Sequence, residues 1–479
     1  MKHFSRILAA VALLGALVAV VGVGPRATLA AGPAQSSTIN VLNLSNSDAT
    51  IQVFYYNPDG SLATMASGYS NPDNDTIPAN AFKAYNPIRA APGFNGSVVI
   101  ASTQEIAVVS NITIASPASA VGSYVGIKAG GPKVYFPLVM KGNAGNTTNF
   151  NVQNTGASAV NISIQFVPEP GSSYASIPTV TDTIQPGAAK TYDQATMSQF
   201  SSVTKWVGSA TVTATSSGGT IAGVANIVNS SNANAYRLST YNAFGGGSTT
   251  VLAPLIQEAN NGNRTSVNCQ NLGSTPTTIN VAYTPEPGNP NKASESKSNI
   301  VPNGIAVFLQ LESGAQKFVG SATITSSPAV PLACVINQTR SALGRASSYE
   351  GFDPSTATTK IVVPVLQGCN GSTTNGFNST TVNVASVDGT AANFTIDYKP
   401  EPGITDPPTA NKSGATAVFN QALAYNSIPC GQAGQQKFVG GAVVTADKPI
   451  VAVVNLARAG GPYTVRDTLA TYDAFNVAP

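Results

Sequence analysis

The side chains whose placement could do chemistry are three recurring glutamates. Glu169, Glu286 and Glu401 each stand in a Pro-Glu-Pro-Gly tetrapeptide, and Asp59 stands in the shorter Pro58-Asp59-Gly60. A carboxylate on a turn could act as a general acid or as a calcium ligand. General acid–base work needs a paired group, and hard cations draw on several clustered oxygens. No second acid recurs beside these positions, so the tetrapeptide reads as a turn. Proline presets one turn position and glycine supplies a positive φ without strain, as a type II turn requires. His3 is the only histidine and stands at the extreme N-terminus. Beyond it, Ser-His-Asp and Cys-His catalysis and histidine metal sites are excluded. No catalytic residue, cofactor or metal is expected. The remaining reactive groups are four cysteines, Cys269, Cys334, Cys369 and Cys430.

The elements that carry these residues repeat. WVGSATVTATSSGGTIAGVAN runs from Trp206 to Asn226, and returns as FVGSATITSSPAVPLACVIN from Phe318 and FVGGAVVTADKPIVAVVN from Phe438. A weaker copy, FNGSVVIASTQEIAVVSN, starts at Phe94, so the copies are spaced by 112, 112 and 120 residues. Each holds an aromatic, a glycine and two alternating runs around a short turn, the sequence form of two joined strands. Such spacing means a repeated unit.

Each unit also carries an earlier strand pair ending at the Pro-rich turn. Aligned on the aromatic before that proline, Tyr56, Phe166, Tyr283 and Tyr398 correspond, with Leu42, Val152, Cys269 and Val384 fourteen residues earlier. Each unit closes on a tyrosine strand containing Tyr124, Tyr241, Tyr349 or Tyr472. Units two to four open on an apolar strand around Pro137, Pro254 or Pro364, and unit one lacks it. Its open edge is expected to recruit a neighbouring molecule or residues 32–38. The boundaries read as 31–131, 132–248, 249–356 and 357–479. Expected core residues in unit two are Val152, Ile162, Ile164, Phe166, Trp206, Ala210, Val212, Val224 and Tyr241. Asn111, Asn226, Asn337 and Asn455, which end the hairpins, read as structural amides.

Residues 1–30 read as a secretory signal: Lys2, His3 and Arg6, then an uncharged apolar run to Gly24, then small residues. No second such run occurs, so no membrane span is expected in the mature chain. Of 24 basic residues the signal carries three, leaving 21 against 21 acidic ones. Zero net charge provides no field for nucleic acid. Charged residues make up 9%, and Ser, Thr, Asn and Gly dominate the polar surface.

The Pro-Gly turn, the aromatic-x-Gly-Ser-Ala hairpin and the apolar strand ending in Val-Asn resemble tandem immunoglobulin-like modules of bacterial cell-surface proteins. The resemblance covers nearly all of 37–479, with unit one departing from it. It implies an all-β chain of four immunoglobulin-like β-sandwiches, and the short joints between them suggest an elongated rod. It also implies an inter-sheet bridge between Cys269, on an early strand, and Cys334, on a late one. In unit four, two insertions each bring one cysteine, so Cys369 is expected to pair with Cys430. Export permits oxidation.

The expected role is a secreted or cell-surface structural or adhesive protein. Its partners would be other surface proteins or copies of itself. A carbohydrate- or protein-binding array is the main rival, and a carboxylate-dependent hydrolase the remote one. Exposed aromatic strips would mark the first rival, and two acids converging in one cleft the second.

Overall fold

A computed structural model of the chain describes residues 15–16, 35–115, 120–231, 236–286, 288–372, 376–388, 390–401, 412–416, 437–459 and 469–477. The fold is all-β. Among the described residues, helix is limited to three single 3-10 turns at Ser198–Phe200, Ser341–Leu343 and Pro354–Thr356.

Unit two shows the plan. Its strands are Lys133–Lys141, Asn146–Asn154, Val160–Pro168, Val180–Ile184, Ala189–Asp193, Trp206–Ala214, Ile221–Asn229 and Arg237–Asn242. They form two four-stranded antiparallel sheets. One runs fourth, third, sixth, opening; the other runs fifth, second, seventh, closing. Unit three repeats this strand for strand. The second strand pairs with the seventh and the third with the sixth, so the central pairs are nested. In immunoglobulin sandwiches they interleave.

Alternation sets the faces. Val160, Ile162, Ile164 and Phe166 are buried while Asn161 and Gln165 are exposed, as a strand with one solvated face requires. The aromatic-x-Gly motif has a steric cause. A Cβ on Gly208 would lie 2.2 Å from the carbonyl oxygen of Val167 and 2.5 Å from the Trp206 ring. The same crowding recurs at Gly96, Gly320 and Gly440. The opening-strand prolines sit at register shifts: Pro137 opposite Gly208/Ala210, Pro254 between Ala253 and Ile256, Pro364 between Val363 and Leu366. A bulge is where a strand tolerates a residue without an N–H.

Several sequence expectations change. In unit one, Tyr55 pairs with Val98 just as Phe166 pairs with Ala210, so Tyr55 and not Tyr56 is the equivalent. Val41 rather than Leu42 then matches Val152, Cys269 and Val384. The two runs of the repeated motif do not pair as a hairpin: in units one to three they are separate strands of different sheets, and in unit four Phe438–Ala459 is one continuous strand of 22 residues. It joins both sheets into a single eight-stranded one. Of the expected core residues, all are buried, but Val224 lies at the contact with unit one.

The elongated rod is not observed. The closing strands Ala120–Val125, Arg237–Asn242, Arg345–Glu350 and Leu469–Asp473 meet in cyclic order, the last touching the first. Each unit also buries the outer face of its second-strand sheet against the unit before it. Ile305 and Val335 join the core of unit two, and Ala385, Val451 and Val453 join that of unit three. Val224, Val228 and Leu238 pack on Ile112, Ile114 and Tyr124 of unit one. Leu42, Phe82, Ala107 and Val109 of unit one join unit four and close the ring. Burying a Leu, Val or Phe side chain stabilises by about 1.5–3 kcal/mol. An extended chain would forgo that at every joint.

The open edge of unit one is occupied at Ile100 and Ala101, and residues 35–38 are not its cover; residues 32–34 lie outside the described residues. Residues 35–38 already belong to Gln35–Asn43, the second strand of the other sheet. The cover is Gly15–Ala16, paired antiparallel with Ala101 and Ile100. Lys133 and Val134 hold the same register on Thr213 and Val212 in unit two.

Candidate functional site

The centre of the ring is built by the closing strands, each with a tyrosine followed by a different residue. Tyr241 Oη donates to the Leu138 carbonyl at 2.7 Å. Tyr349 Oη donates to Leu255 O at 2.7 Å and accepts from Leu255 N at 3.1 Å. Tyr472 Oη serves Val365 in the same way. In each case the partner follows the opening-strand proline, where the bulge takes main-chain groups out of the ladder. Burial is the main cause that raises the pKa of these phenols. The tyrosines are corners that tie the two sheets together, and their rings are buried. They form no exposed aromatic strip.

The residues after these tyrosines are Val125, Asn242, Glu350 and Asp473, and they link the units in sequence. Asn242 Nδ2 donates to Val125 O at 3.0 Å. The Asn242 main-chain N–H donates to Glu350 Oε1. The Glu350 N–H donates to Asp473 Oδ2 at 3.1 Å. Asn242 Oδ1 and Asp473 Oδ1 lie out of reach of solvent and accept no hydrogen bond from the described protein. Burial, and then the Glu350 charge, raises the Asp473 pKa well above the carboxylate range. Burial likewise raises that of Glu350. Two like charges this close favour one shared proton over two ionised groups.

Glu350 and Asp473 are thus two converging acids that the linear sequence does not announce, although both follow a closing tyrosine. A carboxyl dyad can move protons. Here one oxygen of each group is occupied by a main-chain N–H from the preceding unit, an arrangement that holds strands together.

A polar cleft of about 750 Å³ opens between units one and four. Asn40, Asn111 and Ser123 line one wall, and Glu401, Lys437 and Arg458 the other. Ser123 Oγ donates to Asn111 Oδ1 at 2.6 Å, and the pairs Ser348–Asn337 and Thr471–Asn455 repeat the contact at 2.8 and 2.7 Å. These asparagines are structural within their units. Asn455 and Thr471 also bond Gln338 of unit three.

The recurring turn acids do not converge. Glu169 pairs with Lys297 of the next unit at 3.8 Å. Glu286 and Glu401 are half-buried, which raises their pKa, with Lys317 and Lys437 opposing. Gly60, Gly171 and Gly288 take φ of +88°, +75° and +86°, as the turn reading expects. Trp206 is fully buried, with Nε1 donating to Ala175 O at 3.0 Å.

Cys269 and Cys334 are bridged, with Cα atoms 4.0 Å apart. They are directly paired on the adjacent strands Arg264–Asn271 and Leu332–Arg340 of one sheet. The expected pairing is present, but the bridge lies within a sheet rather than between sheets. The nested strand order is the reason, because it makes the early and late strands neighbours. Cys369 is buried and is not a free thiol. Its expected partner, Cys430, lies outside the described residues. Among the described residues, no group of three or more His, Cys, Asp or Glu is placed to hold a metal. No described helix is long and apolar enough to cross a membrane.

No family model matches this chain, and no curated protein matches it. One solved structure, titled as a tetra-tandem repeat in the extending region of a large adhesion protein, aligns with 11% identity. The alignment covers 97% of this chain and 99% of that one, at a TM-score of 0.12.

Proposed function

We propose that the chain is an exported, non-enzymatic structural or adhesive protein of the cell surface. The observation that carries this reading is the seam chemistry. Side-chain and main-chain hydrogen bonds tie the closing strands of neighbouring units, and the carboxyl groups of Glu350 and Asp473 are engaged in that task. The Cys269–Cys334 bridge supports an oxidising compartment. The ring replaces the stalk as the shape of such a protein, so it would act as a compact block and not as a spacer. Fractionation of producing cells, with protease treatment of intact cells, tests the location. Recovery only from the cytosol, with Cys269 and Cys334 reduced, would overturn it.

The polar cleft favours a second reading, a binding protein for a polar ligand such as a carbohydrate. Amides and hydroxyls on one wall face a carboxylate and two cations on the other, a set that can satisfy hydroxyl groups in both directions. Screening the intact chain on immobilised glycans, with Asn111→Ala as the control, tests it. Retained binding in that variant would move the site elsewhere.

A further inference from the structure

We propose that unit one is an acceptor for a donated β-strand. Once residues 1–30 are removed, the edge of Ser97–Ser102 takes an extended apolar strand from another polypeptide, antiparallel and similar in character to Lys133–Lys141. The proposal deepens the surface-protein reading and rests on it for the removal of the N-terminal segment.

Three observations converge on this edge. First, Gly15–Ala16 occupies it in the register that opening strands hold elsewhere: Gly15 faces Ala101 as Lys133 faces Thr213. The edge therefore accepts an antiparallel strand at a defined position. The residues that follow in sequence, Leu17 to Val21, are as apolar as Tyr135 to Val139. Second, an opening strand completes a core and does more than cap an edge. Val134, Phe136, Leu138, Val139 and Met140 all belong to the core of unit two. Without a counterpart, Val98 and Ile100, both at 0% exposure, would lose the strand beside them. Third, the edge has no guard of its own. In units two to four that side carries an opening strand with a proline and a bulge, and this strand is itself paired on its far side by Phe244, Phe352 or Phe475–Asn476. Ser97–Ser102 reads SVVIAS, with no proline and no charge. An unguarded, β-branched edge over an incomplete core is the receptor half of strand complementation.

The occupant follows from the same register. It must be extended and apolar on alternate residues, and 9–11 residues long, the length of the opening strands of units two to four. An isolated helix or a folded surface would leave the ladder unpaired.

The test uses the mature chain, residues 31–479, and a synthetic peptide of residues 133–141, KVYFPLVMK. Binding at one peptide per chain is expected, with a rise in melting temperature of several degrees as the bound state is favoured by mass action. The same peptide with Phe136→Glu should bind at least tenfold more weakly. A second chain carries KVYFPLVMKGNAG grafted ahead of Gln35. It should melt higher without peptide and bind none, and the full-length chain should also bind none. Self-association of the mature chain that the graft abolishes would support the same edge with a second copy as donor. The proposal is overturned if the mature chain is monomeric, ignores the peptide and melts with the grafted chain. Recovery of the exported native protein with residues 1–30 still attached would overturn the proposal for the native molecule, because the edge would keep its own strand, while the export reading would stand.

Discussion

The main-chain N–H of Glu350 donates to Asp473 Oδ2 at 3.1 Å, across the boundary between units three and four. The contact joins residues 123 positions apart and brings two carboxyl groups together where closing strands meet. Burial raises both pKa values, and each charge disfavours the other. The folded pair therefore holds a proton that the unfolded chain has released above the ordinary carboxylate range. By linkage, this contribution is fully favourable at low pH and is lost as pH rises through the raised folded values.

Removing one charge should consequently stabilise the ring at high pH. Asp473→Asn keeps an oxygen for the Glu350 N–H and adds a donor towards the Glu350 carboxylate. We expect a measurable gain near pH 8, the direction that relief of a raised carboxyl pKa requires. Little gain is expected near pH 4, where the wild-type pair is protonated. Comparing the two proteins at both pH values cancels Asp75, Asp182, Asp353 and Asp447, whose lowered pKa values act in the opposite sense. An equal effect of the substitution at both pH values would contradict the shared proton.

Tyr349→Phe removes the hydroxyl that serves both the N–H and the C=O of Leu255. Two buried main-chain groups then lack a partner, at a cost of about 1–3 kcal/mol. Denaturant titration should register that loss. Hydrogen exchange at Leu255 should accelerate more than exchange at Val267 on the neighbouring sheet. Uniform acceleration across unit three would mean that the tyrosine acts through packing alone.

Strand identity and spacing were legible because alternation is local. Trp206, Phe318 and Phe438 mark equivalent positions, and the glycine two residues on has a steric cause that spacing alone exposes. The register of unit one was not legible. Tyr55 and Tyr56 are adjacent aromatics, and only the pairing with Val98 chooses between them. The ring was hidden for a different reason. The outward position on the second strand is Leu42, Gln153, Gln270 or Ala385 in the four units. That mixture carries no apolar signature, although Gln270 reaches Thr211 of unit two at 3.1 Å and Leu42 packs in unit four. Glu350 and Asp473 meet only because the closing strands of units three and four pack together, so no local pattern could pair them.

The cysteines allow a stability test against the chain's own repeats. Val384 and Ala452 fill in unit four the paired positions that Cys269 and Cys334 fill in unit three. The double variant Cys269→Val, Cys334→Ala should therefore fold. It should lose roughly 3–4 kcal/mol, the chain-entropy scale for a loop of this length, less any strain released. Peptide mapping without reduction should also find Cys369 joined to Cys430. Recovery of Cys369 linked to either cysteine of unit three would contradict both assignments.

Ring closure itself rests on the contact between units one and four, where Leu42, Phe82, Ala107 and Val109 enter the core of the last unit. A compact chain of this length has a radius of gyration of about 22 Å, and a ring with a central seam lies slightly above that. Four sandwiches end to end would give roughly twice the value, a difference that solution scattering resolves easily. Leu42→Asp separates closure from folding. Its neighbours Val41 and Asn43 are buried, but Leu42 faces unit four, so the charge falls on the seam and not in the core of unit one. The substituted carboxylate must either lose its water or open the contact, and burying it unpaired costs several kcal/mol. We expect the radius of gyration to rise while the strand signal in circular dichroism and the bridge between Cys269 and Cys334 persist. An unchanged radius in a folded Leu42→Asp chain would show that the other three seams hold the ring without this one, and the wild-type chain at twice the compact value would restore the rod.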